Sequence, residues 1–322
     1  MTDITLEKIK SAQQQIAGRI IRTPTLDLRQ TGLEELLPKG CTATMKLELF
    51  QKAGSFKARG NLLSVEALTP EQLKSGVTAA SGGNHALALA WAAKTAGTSA
   101  KIAIPKTADP IRIDGCRALG AELVLCDSIL EVFPKMHQIA KAEGRSIIHP
   151  FEGYNMSLGA ATCAAELFTD APNLDIVILP VGGGGLISGM SAALKLLNPK
   201  IDIFGIEPFG ADSMYQSFQS DSPQSLDKVD TIADSLGSPT ALPYSYALTR
   251  ANVTDIVRVT DDDLRQTMRV MNETLKLMVE PACAASLTGA LGPLKSHCEG
   301  KTIGLLACGA NISRARFMEL VS

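Results

Sequence analysis

The chain has 322 residues, 45% of them hydrophobic and 20% charged, with a formal net charge of −2. That length holds one large domain or two ordinary ones, and the apolar share excludes a disordered chain. Near-neutral charge with no basic cluster excludes an electrostatic case for nucleic acid or an anionic membrane, so neither is an expected partner.

The N-terminal stretch 1–20, MTDITLEKIKSAQQQIAGRI, is amphipathic and charged throughout and has no signal-peptide core. No run is long and apolar enough to cross a bilayer. Seven cysteines are scattered without a C-x-x-C pair, and four histidines show no zinc spacing. The expected setting is the reducing cytoplasm, with the thiols buried and free.

In residues 48–63, ELFQKAGSFKARGNLL, Lys57 stands between Phe56 and Ala58. Most lysines are solvated surface groups, but poorly solvated neighbours lower an amine pKa and suit Schiff-base chemistry. Thr69-Pro70-Glu71-Gln72 marks a helix start, with a capping Thr, Pro at the first helical position and Gln at the third. A strand at 77–81 then leads into a helical pattern at 85–97. Between them, Ser81-Gly82-Gly83-Asn84-His85 either caps that helix or grips a carboxylate with its N–H groups and side chains. His85 alone reads first as a structural histidine.

The alternation continues: strand 101–105 and helix 109–120, then strand 122–126 and helix 128–144. It returns at strand 175–181 and helix 186–198, and further strands are expected at 202–208 and 302–308. Thr260-Asp261-Asp262-Asp263 places acids in the first turn of a helix through Leu264–Met278. The stretch 209–250, rich in Ser, Pro, Asp and Tyr, reads as irregular. Continuous apolar strands separated by helices indicate α/β architecture with parallel sheets covered on both faces.

Gly182, Gly183, Gly184 and Gly185 lie between a strand and a helix. The first N–H groups of a helix lack partners, and glycine lets the backbone approach an anion, so a phosphate is the usual guest. A ligand-free tight turn is the alternative. Neither G-x-G-x-x-G nor Walker A is satisfied, which disfavours a dinucleotide or a P-loop nucleotide.

GSFKARG, SGGNHALALAWAAK, VGGGGLISG, GIEPFGADSMYQS and LLACGAN occur in the order found in fold type II pyridoxal-phosphate enzymes. The chain resembles their serine/threonine dehydratase and serine racemase branch, from about residue 15 to 315. The resemblance implies the two-domain, tryptophan synthase beta-like fold. Residues 1–75 with 150–322 would form a large cofactor-binding domain, and 76–149 a small one. Lys57 would carry pyridoxal 5′-phosphate and act as general base, with Phe56 near the ring and Asn84 on the 3-hydroxyl. Gly182–Gly185 and Leu186 would cradle the phosphate, Cys308 would face the pyridine nitrogen, and Asn311 would support that end. Ser81, Gly83, Asn84 and His85 would hold the substrate carboxylate. A neutral thiol at Cys308 leaves the cofactor a weaker electron sink, which favours loss of a β-substituent over transamination.

Three departures from the family pattern stand out. Racemases of the branch show S-S-G-N-H, whose second Ser is an acid/base opposite the lysine; here that position is Gly82. Racemisation needs a proton donor on each face of Cα, so little serine racemisation is expected. Glu207, Ala211 and Ser213 match the branch's divalent cation ligands, but Ser213 is not an acid. Mg²⁺ or Ca²⁺ should therefore bind more weakly there, or Asp212 should substitute. Gly159-Ala160-Ala161-Thr162 replaces the family's G-Q-G-T and, with HPFEGYN (149–155) on the pocket side, points to a shifted substrate preference.

The expected activity is dehydration of a β-hydroxy amino acid, L-threonine or L-serine first, to a 2-oxo acid and ammonia. Alternatives are a serine racemase, a dehydratase for hydroxyaspartate or phenylserine, or a cofactor-binding protein without turnover. The resemblance implies a homodimer. With the chain ending at Ser322, it implies neither a C-terminal regulatory domain nor feedback by isoleucine.

Overall fold

The computed structural model describes residues 4–29 and 31–322; of the amphipathic N-terminal stretch, residues 1–3 lie outside the described residues. The strands, in chain order, are β1 (Thr25–Asp27), β2 (Thr42–Lys46), β3 (Val77–Ala80), β4 (Ala100–Pro105) and β5 (Glu122–Cys126), then β6 (Ser146–Ile147), β7 (Ile176–Pro180), β8 (Asp202–Pro208), β9 (Asp255–Val259) and β10 (Thr302–Leu306). They build two sheets, one of order β1-β2-β10-β7-β8-β9 and one of order β5-β4-β3-β6. Every pairing is parallel except β1 with β2.

The expected α/β class with parallel sheets is therefore what the chain adopts. Every residue of β7 is buried, as a strand covered on both faces requires. One apolar core fills the larger sheet's surroundings. The four-stranded sheet has its own core on each face, one around Val77, Leu89 and Ile102 and one around Ala103, Val132 and Met136.

The helix starts follow the local signals. Thr69 and Thr260 both form capping boxes, with Gln72 and Asp263 as their third-position partners. The second of these helices ends at Leu275, short of Met278, because Lys276 takes a left-handed conformation with φ of 60°. The stretch 209–250 is not wholly irregular. It holds helices Ser213–Ser220 and Pro243–Asn252. The first is only 8 residues long and its cap is a distant carboxylate, so no local motif announces it.

Helix Lys57–Glu66 packs on the long helix Tyr154–Asp170 and thereby helps to set the site. A Cβ on Gly60, in helix Lys57–Glu66, would lie 2.9 Å from the Met156 sulfur. A Cβ on Gly159 would overlap the Gly60 backbone, so these two helices cross with backbone nearly touching backbone. The segment 159–162 is thus a helix–helix contact inside the core rather than part of a substrate pocket, which corrects the reading of G-A-A-T.

Candidate active site

The carboxyl ends of β3, β7 and β10 all open into one cavity of about 400 Å³. Clefts at the carboxyl ends of parallel strands are where open α/β sheets bind ligands. Of the residues singled out in the sequence, Phe56, Lys57, Ser81, Gly83, Asn84, His85, Gly182–Gly185, Leu186 and Cys308 all line it. Gly82, Pro150 and Phe151 line it as well.

Lys57 is the first residue of its helix, and its neighbour Phe56 donates its N–H to the Cys308 carbonyl at 3.1 Å. That bond ties the lysine segment to the strand end that carries Cys308. Two residues on, the fully buried Arg59 pairs with Glu48 and Glu166, each at 2.8 Å, and fixes the start of the helix. Lys57 Nζ donates to the Pro150 carbonyl at 2.5 Å and lies 5.0 Å from the centre of the Phe56 ring. Burial lowers its pKa to about 8, although the Cys308 and Glu280 side chains pull the other way. The amine therefore keeps a larger neutral fraction near neutrality than an ordinary lysine does.

The glycine tract turns from β7 into helix Gly185–Leu197, with Gly184 at φ of 89°. Among the described residues, none accepts a hydrogen bond from the backbone N–H of Gly182–Leu186. Its outer side is filled: a Cβ on Gly182 would meet Leu236 at 3.0 Å, one on Gly184 would meet the Met214 methyl at 2.7 Å, and one on Gly183 would overlap the Phe151 ring. Ser245 Oγ donates to the Gly183 carbonyl at 3.0 Å and holds the loop from behind. The result is a rigid row of unpaired donors at a helix start.

Asn84 does not point freely at the cavity. Its Nδ2 donates to Glu280 at 2.6 Å, and its Oδ1 accepts from Asn311 Nδ2 at 2.7 Å. Asn311 does not line the cavity; it donates also to the Ala53 carbonyl at 2.8 Å and reaches the site through Asn84. His85 is tied at both ring nitrogens, to the Ile148 carbonyl at 2.9 Å and to Asn61 at 3.1 Å. Burial pulls its pKa down to about 3, so it is a neutral structural ring. Ser81 Oγ accepts the Gly83 N–H at 3.1 Å, whereas the N–H groups of Asn84 and His85, at the start of helix Asn84–Ala96, have no acceptor among the described residues.

The sequence reading missed a second layer. Glu280 is buried and its carboxyl is pushed up by burial, while the Arg112 guanidinium opposes that rise. Arg112 bonds Glu280 at 3.4 Å, Asp234, and the Asn311 carbonyl at 2.8 Å. These residues come from three distant segments. The one local mark is Glu280-Pro281, which reads as an ordinary helix start.

A family model described as pyridoxal-phosphate dependent enzyme matches residues 16–309. The chain belongs to the pyridoxal-phosphate-dependent enzymes. It is 43% identical to phenylserine dehydratase of Ralstonia pickettii over 97% of this chain and 94% of that protein. It is 33% identical to L-threo-3-hydroxyaspartate ammonia-lyase of Saccharomyces cerevisiae over 99% of this chain and 96% of the other. The solved structure of maize serine racemase superposes with a TM-score of 0.91 at 34% identity, covering 98% of this chain and 95% of that one.

The site of this pyridoxal-phosphate-dependent enzyme suits its cofactor on three counts: the unpaired N–H row for a phosphate, a buried amine of depressed pKa, and a neutral thiol. Cys308 is held well above the usual thiol range by a hydrogen bond with Cys283 and by burial. A divalent cation fares differently. Both Glu207 carboxylate oxygens accept backbone N–H groups, of Met214 at 3.0 Å and Tyr215 at 2.7 Å. Asp212 is paired with Arg258 at 2.9 Å, and Ser213 Oγ is buried with no hydrogen-bond partner among the described residues. Among the described residues no group of three or more His, Cys, Asp and Glu is disposed to hold a metal ion. At the expected Glu207, Ala211 and Ser213 cation position the one carboxylate, Glu207, thus already accepts two N–H groups, and the neighbouring Asp212 faces a guanidinium. No helix among the described residues is long and apolar enough to cross a membrane.

Proposed function

We propose that the chain dehydrates β-hydroxy α-amino acids, and that it prefers an apolar, bulky β-substituent such as the phenyl of phenylserine. The wall of the cavity carries this reading. Pro105, Val132, Phe133, Phe151 and Leu236 line it, and the Phe133, His149 and Phe151 rings follow one another at 6.4 and 4.6 Å. Phe133 remains 40% exposed, an aromatic face offered at the mouth. An acidic side chain would find no uncommitted cation. Lys57 and Arg112 are the cations lining the cavity among the described residues, and Arg112 already faces Asp234 and Glu280. Threonine and serine fit the same space as smaller substrates and leave the aromatic wall unused. The 43% identity to phenylserine dehydratase supports the same preference.

The roles follow from placement. Gly182–Leu186 would hold the phosphate, Lys57 the aldehyde carbon, Asn84 the 3-hydroxyl, and the N–H groups of Asn84 and His85 the substrate carboxylate. Bound there, pyridoxal phosphate supplies a sink for the charge left on Cα when its proton is removed. Lys57 Nζ takes that proton, and a pKa of about 8 is near the value a general base needs. A Cys308 thiol that keeps its proton would leave the pyridine nitrogen uncharged, which would limit charge build-up and favour loss of the β-hydroxyl as water, the proton taken from Cα balancing the one the hydroxyl gains. Water then releases a 2-oxo acid and ammonia. On the face opposite Lys57, Gly82 offers no acid, so serine racemisation stays far below elimination.

We also take residues 1–75 with 150–322 and residues 76–149 as two domains, which the separate cores of the two sheets support. A homodimer is proposed on family resemblance. A 2-oxo acid release screen over phenylserine, threonine, serine and hydroxyaspartate tests the substrate reading. Phenylserine should give the highest kcat/KM and hydroxyaspartate the lowest. Hydroxyaspartate leading, or serine racemising as fast as it is deaminated, would overturn the proposal.

A further inference from the structure

The turn after β8 carries a cation of its own. The parallel ladder sets Arg258 of β9 beside Glu207 of β8. The Arg258 guanidinium then reaches Asp212 at 2.9 Å and lies between two rings, 3.8 Å from the Tyr215 centre and 4.6 Å from that of Phe209. Asp212 is completed by Gln216 at 2.9 Å. One planar cation thus touches the loop through Phe209 and the start of helix Ser213–Ser220 through Asp212 and Tyr215.

A hard divalent ion needs six or more oxygen ligands, with charged carboxylates among them. Here each Glu207 oxygen already accepts one N–H group, position 213 offers an alcohol, and a fixed positive charge already sits on Asp212. An added ion would have to compete with Arg258 for Asp212 and face the guanidinium's positive charge.

We propose that Arg258 takes over the task a metal ion would have at this turn: it holds the Ser213–Ser220 helix beneath the glycine loop, so cofactor retention needs no divalent cation. The link to the loop is steric. Met214 is the second residue of the helix, and its methyl lies 2.7 Å from where a Cβ on Gly184 would stand, so a displaced helix removes the floor of the phosphate-binding turn. Arg258 acts through Met214 and Gly184 and touches neither cofactor nor substrate, which makes it a positioning residue. The inference holds whichever amino acid is the substrate.

The test uses holoenzyme, wild type and the variants Arg258→Met and Arg258→Lys, after EDTA and with millimolar Mg²⁺ or Ca²⁺. The readouts are Tm and the share of cofactor absorbance kept through gel filtration. In the wild type neither readout should respond to EDTA or to either ion. Arg258→Met should lose cofactor on the order of tenfold faster, since a mostly buried Asp212 loses its partner, and Arg258→Lys should recover part of that loss. A wild-type Tm that falls in EDTA and rises with Mg²⁺ or Ca²⁺ would overturn the proposal, and that result needs no variant to fold. So would an Arg258→Met enzyme whose Tm drops while its cofactor retention stays at the wild-type level, because Arg258 would then be structural only.

Discussion

The turns after β7 and β8 leave neighbouring strands of one parallel sheet, and both match stretches of the same enzyme branch. After β7, the N–H groups of Gly182–Leu186 have no acceptor among the described residues, and the packing behind them is complete. After β8, the polar groups are instead paired internally: Glu207 with two N–H groups, Asp212 with Arg258. The difference teaches that a site is defined by what its groups have left over. Residue types that resemble ligands bind more weakly once they face partners of their own, because a new ligand must compete with those bonds and charges.

The strongest challenge to that contrast is Gly183→Ala. The added methyl would overlap the Phe151 ring, and overpacking of this kind costs about 1–3 kcal/mol. We expect cofactor affinity to fall roughly 10- to 100-fold, read from absorbance during titration of apoenzyme. An unchanged affinity would show that the row of donors is not the phosphate anchor.

A pH series sharpens the same side. Only the neutral amine of Lys57 can attack an aldehyde, and its pKa is about 8. The rate of cofactor attachment to apoenzyme should therefore fall about tenfold per pH unit below that value and level off above it. Stopped-flow absorbance measures this, and a rate that keeps climbing to the usual lysine range would mean that the amine is solvated. The smallest effect belongs to the other turn. Ser213→Ala removes a hydroxyl without a hydrogen-bond partner, so Tm and activity should stay within about 0.5 kcal/mol of wild type. A clear loss of either would reopen position 213 as a ligand.

Much of the site was legible because its chemistry is local. Lys57 lies in one short segment and Gly182–Gly185 in another, and each carries its meaning in its immediate neighbours. Asn84 was legible as a residue but not as half of a pair, since its partners Glu280 and Asn311 lie 196 and 227 positions away. Arg112 was missed for the same reason: its partners are Asp234, Glu280 and the Asn311 carbonyl, and charge alone does not reveal burial. The short helices in 209–250 escaped because their stability comes from tertiary partners, Glu207 for one and Glu152 for the other.

By itself, the sequence determined the alternation of buried strands and helices, the lysine in its apolar setting, and the backbone cradle between β7 and its helix. Those features arise from periodicity, capping and glycine's lack of a side chain, which act over a few residues. Tertiary structure alone decided that Asn84 is braced by a buried carboxylate and a second asparagine, that the cavity has an aromatic mouth, and that the turn after β8 holds Arg258 against Asp212. Each of these depends on which groups meet after the sheets form, because a hydrogen bond or an ion pair is a property of two residues and their shared burial.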